Sequence, residues 1–273
     1  MGGYSKIFAG LVVVLLAVLY APIVPGMVAD WYHDPNYSHG FLVPLISAYF
    51  LWEKRKELAA EEIKPNGFGL VVILAGLFLL VFGYAGTEYF TMRSSLVFLV
   101  AGIILYWFGL EVLKVVALPV GFLLFMVPLP YIVYDALAFP LKLFITKVSV
   151  VSLKAMGVVV WRDGNIIQFP ETVLEVADAC SGLRSLMSLL ALSVAYAFFT
   201  LNGVVKRFFL VLLAVPIAIV TNMTRVIGTG FLAQYYGAAA AEGFFHEFAG
   251  LAVFAMAMVL LVLSGAILGR IGR

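Results

Sequence analysis

Val176-Ala177-Asp178-Ala179-Cys180-Ser181-Gly182-Leu183-Arg184-Ser185 holds the only cysteine among 273 residues. This small, polar turn joins a β-branched segment, 172–176, to a long apolar run that begins at Leu183. A thiol becomes reactive as the thiolate, which a helix N-terminus or a nearby cation favours. Asp178 or Ser181 can serve as N-cap, placing Cys180 within a residue or two of the positive end of a helix. Gly182 lets another backbone or a substrate approach closely. A free cysteine is equally a small hydrophobe suited to a packed interior, so the stretch alone leaves packing and chemistry both open.

The rest of the chain supplies a membrane. Hydrophobic residues make up 64% and charged residues 12%, with a mean hydropathy of +1.10. Soluble domains carry about 25% charged residues, so lipid is the expected solvent. A net charge of +2, without a basic cluster interleaved with aromatics, excludes a nucleic-acid groove. One cysteine excludes an internal disulfide and a cysteine zinc cluster.

A membrane-spanning helix needs about 20 apolar residues. Runs near 7–25, 40–53, 67–86, 94–110, 115–130, 183–201, 207–225 and 247–268 predict eight spans, the second and fifth short enough to be partly re-entrant. The first run is too long for a signal-peptide core and is expected as a retained helix. Lys6, Lys54-Arg55-Lys56, Lys114, Lys206-Arg207, Arg270 and Arg273 then share one side, whereas 30–39 and 87–93 hold a single Lys or Arg between them. Basic loops stay cytoplasmic, so both termini are expected in the cytoplasm. The expected fold is an all-α integral membrane protein of about eight transmembrane helices. It forms a single polytopic domain, 1–273, with an extracytoplasmic insertion at 131–179.

Within that insertion Tyr134, Leu137, Leu141 and Phe144 recur at helical spacing among Lys142, Lys147 and Lys154, which suits an amphipathic helix on the outer leaflet. Asp163-Gly164 between β-branched and aromatic residues predicts a β-hairpin, and 172–176 a third strand. An open sheet edge cannot sit in lipid, so this element belongs outside, where it leads to Cys180.

Two further polar residues fall at the same expected depth. Arg225 ends the seventh span in a still-apolar setting, with Thr221 and Asn222 one turn back on the same face. A charge there is costly enough to mark a functional site, and a guanidinium can hold a carboxylate or stabilise an oxyanion. An arginine snorkelling to the headgroups fits equally. His246 begins the last span; its imidazole can take a thiol proton and return it to a leaving amine, or it is an interfacial histidine. His33 and His39 lie six apart in a loop without a phased carboxylate, so no metal site is read.

At these residues the chain resembles a known family. Ala179-Cys180-Ser181-Gly182-Leu183-Arg184-Ser185, Asn222-Met223-Thr224-Arg225-Val226 and His246 are similar to three blocks of the exosortase/archaeosortase family. Asp34-Pro35-Asn36-Tyr37-Ser38-His39-Gly40-Phe41-Leu42-Val43-Pro44 resembles its N-terminal signature. The resemblance implies a membrane cysteine protease/transpeptidase of the cytoplasmic (inner) membrane, with its active site on the extracytoplasmic face. Its substrates would be membrane-anchored proteins with a C-terminal sorting signal: a short motif (Pro-Glu-Pro in the bacterial, PEP-CTERM branch), a hydrophobic span and a basic tail. Bacterial members often work alongside exopolysaccharide production. By the same resemblance Cys180 is the nucleophile, Arg225 the family's arginine and His246 the third polar position, which varies among branches. Ser181, Gly182, Arg184, Asn222 and His39 are expected as substrate-binding or supporting residues. No cofactor is implied, and the acceptor is an amine, a hydroxyl or water. Without the resemblance, a multi-span transporter or assembly component for polysaccharide or lipid export stands as the alternative. Such a protein needs polar residues at mid-membrane depth, whereas the charges here crowd to helix ends.

Overall fold

The computed structural model describes residues 3–170, 172–176, 182–236 and 244–271, and most of these are helical. They fall into two compact units, Met1–Pro130 and Tyr131–Arg273.

In the first unit, α1 (Gly3–Tyr20) and α2 (Val24–His33) meet at a bend of 58°. Pro25, in the first turn of α2, starts a fresh helix instead of continuing the old one. A 3₁₀ turn (Ser38–Phe41) leads into α3 (Leu42–Glu53) and α4 (Arg55–Ala60). Then come α5 (Phe68–Ala85), α6 (Tyr89–Phe108), α7 (Leu110–Phe122) and a 3₁₀ turn, Leu123–Met126.

The α5–α6 hairpin is packed backbone to backbone. Gly69, Gly76 and Gly83 recur every seventh residue on one face of α5. A Cβ on Gly83 would lie 2.6 Å from the Met92 nitrogen, and one on Gly102 would lie 2.8 Å from the Ile73 nitrogen. Small residues are what lets helices associate in lipid, where no hydrophobic force separates helix from solvent. Arg93 on α6, only 6% exposed, is neutralised by Asp30 of α2 at 2.6 Å. An unpaired charge there would be costly.

The second unit opens with α8 (Tyr131–Ala155), followed by an antiparallel sheet of β1 (Trp161–Asp163), β2 (Ile166–Gln168) and β3 (Val173–Glu175), in that order. The hairpin forms where Asp163-Gly164 predicts it, one residue further on. Asp163 pairs with Ile166, so the loop is Gly164-Asn165, with positive φ only at Gly164 (φ 59°). That is the pattern of a two-residue type II′ turn. Three long helices complete the unit: α9 (Leu183–Thr200), α10 (Val204–Tyr236) and α11 (Phe244–Arg270). Leu189, Ala197, Ala214, Ala218 and Ala257 form their common core, small residues again permitting close approach.

Among the described residues six helices are long and apolar enough to cross a membrane, or seven if the bent α1–α2 pair is one span. The expectation of eight is therefore corrected in three places. With 12 and 13 residues, α3 and α7 reach only about 18–20 Å at 1.5 Å per residue, short of a core of about 30 Å. The stretch expected as an amphipathic helix is instead α8, 25 residues long and itself apolar enough to span. Its packing is nonetheless distinctive. Ile145, Val150 and Leu153 share a core with Ile167 of β2, with Phe169 just beyond it, and with Val226 and Ala233 of α10. This is the C-terminal part of α10, a helix whose 33 residues measure about 50 Å and so outreach a bilayer core.

Candidate active site

Of the sequence-designated residues of the second unit, Gly182, Arg184, Asn222, Arg225 and His246 lie on α9, α10 and α11 or at the cap of α9. Cys180 and Ser181 lie outside the described residues. Gly182 is the N-cap of α9, in left-handed conformation (φ 78°, ψ −5°), a region that costs other L-residues about 1–2 kcal/mol. It sits directly against α10: a Cβ there would lie 2.8 Å from Nδ2 of Asn222. Asn222 is 2% exposed, so its amide is held in the interior beside the backbone two residues after Cys180. Arg184, half-buried, occupies the first turn of α9. Its neighbour Leu183 is buried against Tyr134 and Ala138 of α8.

Arg225 follows Asn222 by three positions on α10, hence on the same face. Its half-buried guanidinium lies over Gly250 of α11, Nη2 being 3.5 Å from where a Cβ would stand. His246 precedes Gly250 by one helical turn, on the same face of α11. Residues from all three blocks thus meet along α10: Gly182 at Asn222, and Gly250 of α11 at Arg225. Gly250 is the residue that sequence reading missed: its spacing of four from His246 puts it on the same helix face, but nothing in a glycine marks it chemically.

Depth follows from the same helices. The opposite end of the bundle carries Lys206, whose Nζ donates to the Ile271 carbonyl (2.5 Å). There too Arg207 donates to the Leu201 carbonyl through Nε (2.9 Å). From Lys206 to Arg225 is 19 positions along α10, about 28 Å at 1.5 Å each, close to the thickness of a hydrocarbon core. Arg225 is therefore one membrane thickness from the basic end.

His39 belongs to the first unit. Its Nε2 faces the Phe125 carbonyl at 3.2 Å; a carbonyl only accepts, so Nε2 carries the proton. Burial lowers its pKa, partly opposed by bonds to the Phe125 and Asn36 carbonyls. Beside it, Trp31 Nε1 donates to the Met126 carbonyl (2.7 Å), and the indole covers Gly40 so closely that no Cβ fits. Asp34 Oδ1 accepts from the Asn36 N–H (2.8 Å). The Asp34–Gly40 segment is thereby folded onto the turn at Leu123–Met126. Among the described residues no three His, Cys, Asp or Glu side chains are placed to hold a metal.

The Gly182–Asn222 contact makes one structural prediction. Gly182→Ala adds the left-handed strain and drives a methyl into the Asn222 amide, so something must shift at the start of α9. Purified protein should lose about 1–3 kcal/mol of stability, read as a lowered thermal midpoint. An unchanged midpoint would mean that Gly182 and Asn222 do not touch as described.

Helices of membrane length and small-residue packing define a polytopic membrane protein, with a buried Asn222 and a half-buried Arg225 on one face of α10. Residues 31–263 match the family model described as transmembrane exosortase (Exosortase_EpsH), and the chain belongs to that family. Membership gives it a transmembrane, protease-type role at the level of the family. No curated protein and no solved structure matches the chain.

Proposed function

We propose that this protein is a membrane-embedded cysteine protease/transpeptidase that cleaves a C-terminal, PEP-CTERM-type sorting signal at the outer face of the cytoplasmic membrane. The observation that carries the proposal is the meeting of three sequence blocks on α10. Gly182 lies against Asn222, and Arg225 lies over Gly250, one turn from His246. A guanidinium, an imidazole-bearing helix start and the turn that follows the thiol are the parts an acyl transfer requires.

In the proposed sequence the Cys180 thiol gives its proton to the His246 imidazole, and sulfur bonds to the scissile carbonyl carbon. Arg225 stabilises the oxyanion that forms, or holds a carboxylate of the motif. As the carbon–nitrogen bond breaks, the imidazolium returns the proton to the leaving amine, and a thioester to Cys180 remains. An amine, a hydroxyl or water then attacks the thioester and restores the thiol. A substrate helix in the same bilayer presents its motif at the depth of Arg225. The tether makes the encounter a two-dimensional search, with the scissile bond partly oriented beforehand.

The basic end, with Lys206, Arg207 and Arg270, would face the cytoplasm and the site the exterior. The test uses the single cysteine. A membrane-impermeant maleimide added to intact spheroplasts should label Cys180 rapidly, and an excess of substrate should protect it. A thiol labelled only after permeabilisation would place the site on the wrong side, and an inert thiol would favour the transporter alternative.

A further inference from the structure

We propose that the outer edge of β3 is a docking strand for the substrate segment that contains the scissile bond, which pairs with it in extended conformation. The proposal rests on Cys180 being the nucleophile and adds how the substrate is held.

The hydrogen-bond pattern says which backbone groups are available. Val176 N–H donates to the Asn165 carbonyl (2.9 Å) and Phe169 N–H to the Thr172 carbonyl (2.8 Å). β2 and β3 are antiparallel, with Ile167 opposite Leu174. Bonded and non-bonded pairs alternate in such a ladder, so Thr172, Leu174 and Val176 bond toward β2. Val173 and Glu175 therefore direct their N–H and C=O groups away from the sheet. β3 is the terminal strand, and among the described residues no backbone hydrogen bond engages that side. The side chains agree: Val173 is 60% exposed, and Glu175 is also exposed.

The other terminal strand is differently placed. β1 lies beside α8, where Arg162 Nη1 approaches the Leu143 carbonyl (3.4 Å). Proteins commonly blunt an open edge by keeping it short, and all three strands here have only three residues. What singles out β3 is continuity: the chain leaves it at Glu175 and reaches Cys180 five residues later. Of the three strands, β3 is therefore the one nearest Cys180 along the chain. Strand addition gives affinity through main-chain bonds and leaves specificity to alternate side chains. The residue paired with Val173 would extend the cross-strand row Trp161–Gln168–Val173, whose two end members are exposed and where an apolar or aromatic neighbour is favoured.

Proline separates this edge from the ladder behind it. Val173→Pro removes an outward N–H and none of the bonds to β2, a placement edge strands tolerate. In reconstituted membranes, the half-saturating surface density of a tethered PEP-CTERM-type substrate should rise roughly five- to tenfold, the worth of about one hydrogen bond. The maximal rate should change less than about twofold if the bond serves ground-state binding only, with maleimide labelling of Cys180 retained. Wild-type half-saturation would overturn the docking strand. A second measurement covers a variant that misfolds. Val173→Cys combined with Cys180→Ser is paired with substrates carrying one cysteine at successive positions. Disulfides at every second position support a strand, whereas no crosslinks or a three-to-four-residue spacing overturn it. Failure of the underlying function shows separately, as processing that survives Cys180→Ala.

Discussion

Cys180→Ala should abolish processing of a tethered PEP-CTERM-type substrate, by about 10⁴-fold or more, while the protein stays in the membrane at its normal level. The size of the effect follows from the chemistry: without the sulfur no acyl intermediate forms, and no second cysteine in the chain can replace it. Cys180→Ser should be nearly as inactive, because an aliphatic hydroxyl is far less ionised than a thiol where activation depends on anion formation. Abundance is expected to hold because the bundle core, Leu189 through Leu261, lies along the helices and not at this turn. Processing is measured as conversion of precursor to shortened product on a gel. Wild-type conversion by Cys180→Ala would remove the nucleophile from the account.

Arg225→Lys should reduce the rate about 10²- to 10³-fold, the cost typical of losing a transition-state donor, even though the charge is kept. Arg225 lies over Gly250, where the absence of a side chain leaves room for a planar group. A lysine ammonium is a compact point charge without the guanidinium fork, and it cannot reproduce two parallel bonds to an oxyanion or carboxylate. The kinetic split is informative. A fall in kcat with KM unchanged places Arg225 on the transition state, and a rise in KM places it on the motif's carboxylate. Normal turnover would reduce Arg225 to an anchor at the membrane surface.

Much of this fold is legible in the amino-acid sequence, and the exceptions have physical causes. Apolar run length locates α5, α6, α9 and α11 well. It misleads at 115–130 because Glu111 and Lys114, which look like loop residues, form an i,i+3 ion pair (2.8 Å) on α7. That helix starts immediately after Gly109, whose φ of 91° turns the chain within one residue, and it gives way to a 3₁₀ turn at Leu123. Composition also stops α10 too early. Its Gly- and Ala-rich continuation stays helical to Tyr236 because Val226, Gly230 and Ala233 pack against α8 and the sheet. Only tertiary contact carries that information. For α8, the lysines draw attention to amphipathicity and away from the unbroken length of the helix.

The candidate site is legible as residue types in order, and less so as geometry. Arg225 and Asn222 share a face by spacing alone, but the partner each one meets, Gly250 and Gly182, lies on another helix. A glycine that cradles a side chain has no chemical signal of its own. For His39 too the partner is not visible in the sequence: its Nε2 meets the Phe125 carbonyl, 86 positions away.

Acyl transfer through Cys180 is the central claim, and intact-protein mass spectrometry during turnover tests it most directly. Wild-type protein reconstituted with a tethered substrate should gain the mass of the substrate's N-terminal fragment, less one water, at Cys180. Hydroxylamine should discharge that adduct as the hydroxamate, as it does a thioester. Turnover with no such adduct, or an adduct that persists in Cys180→Ala, would contradict it.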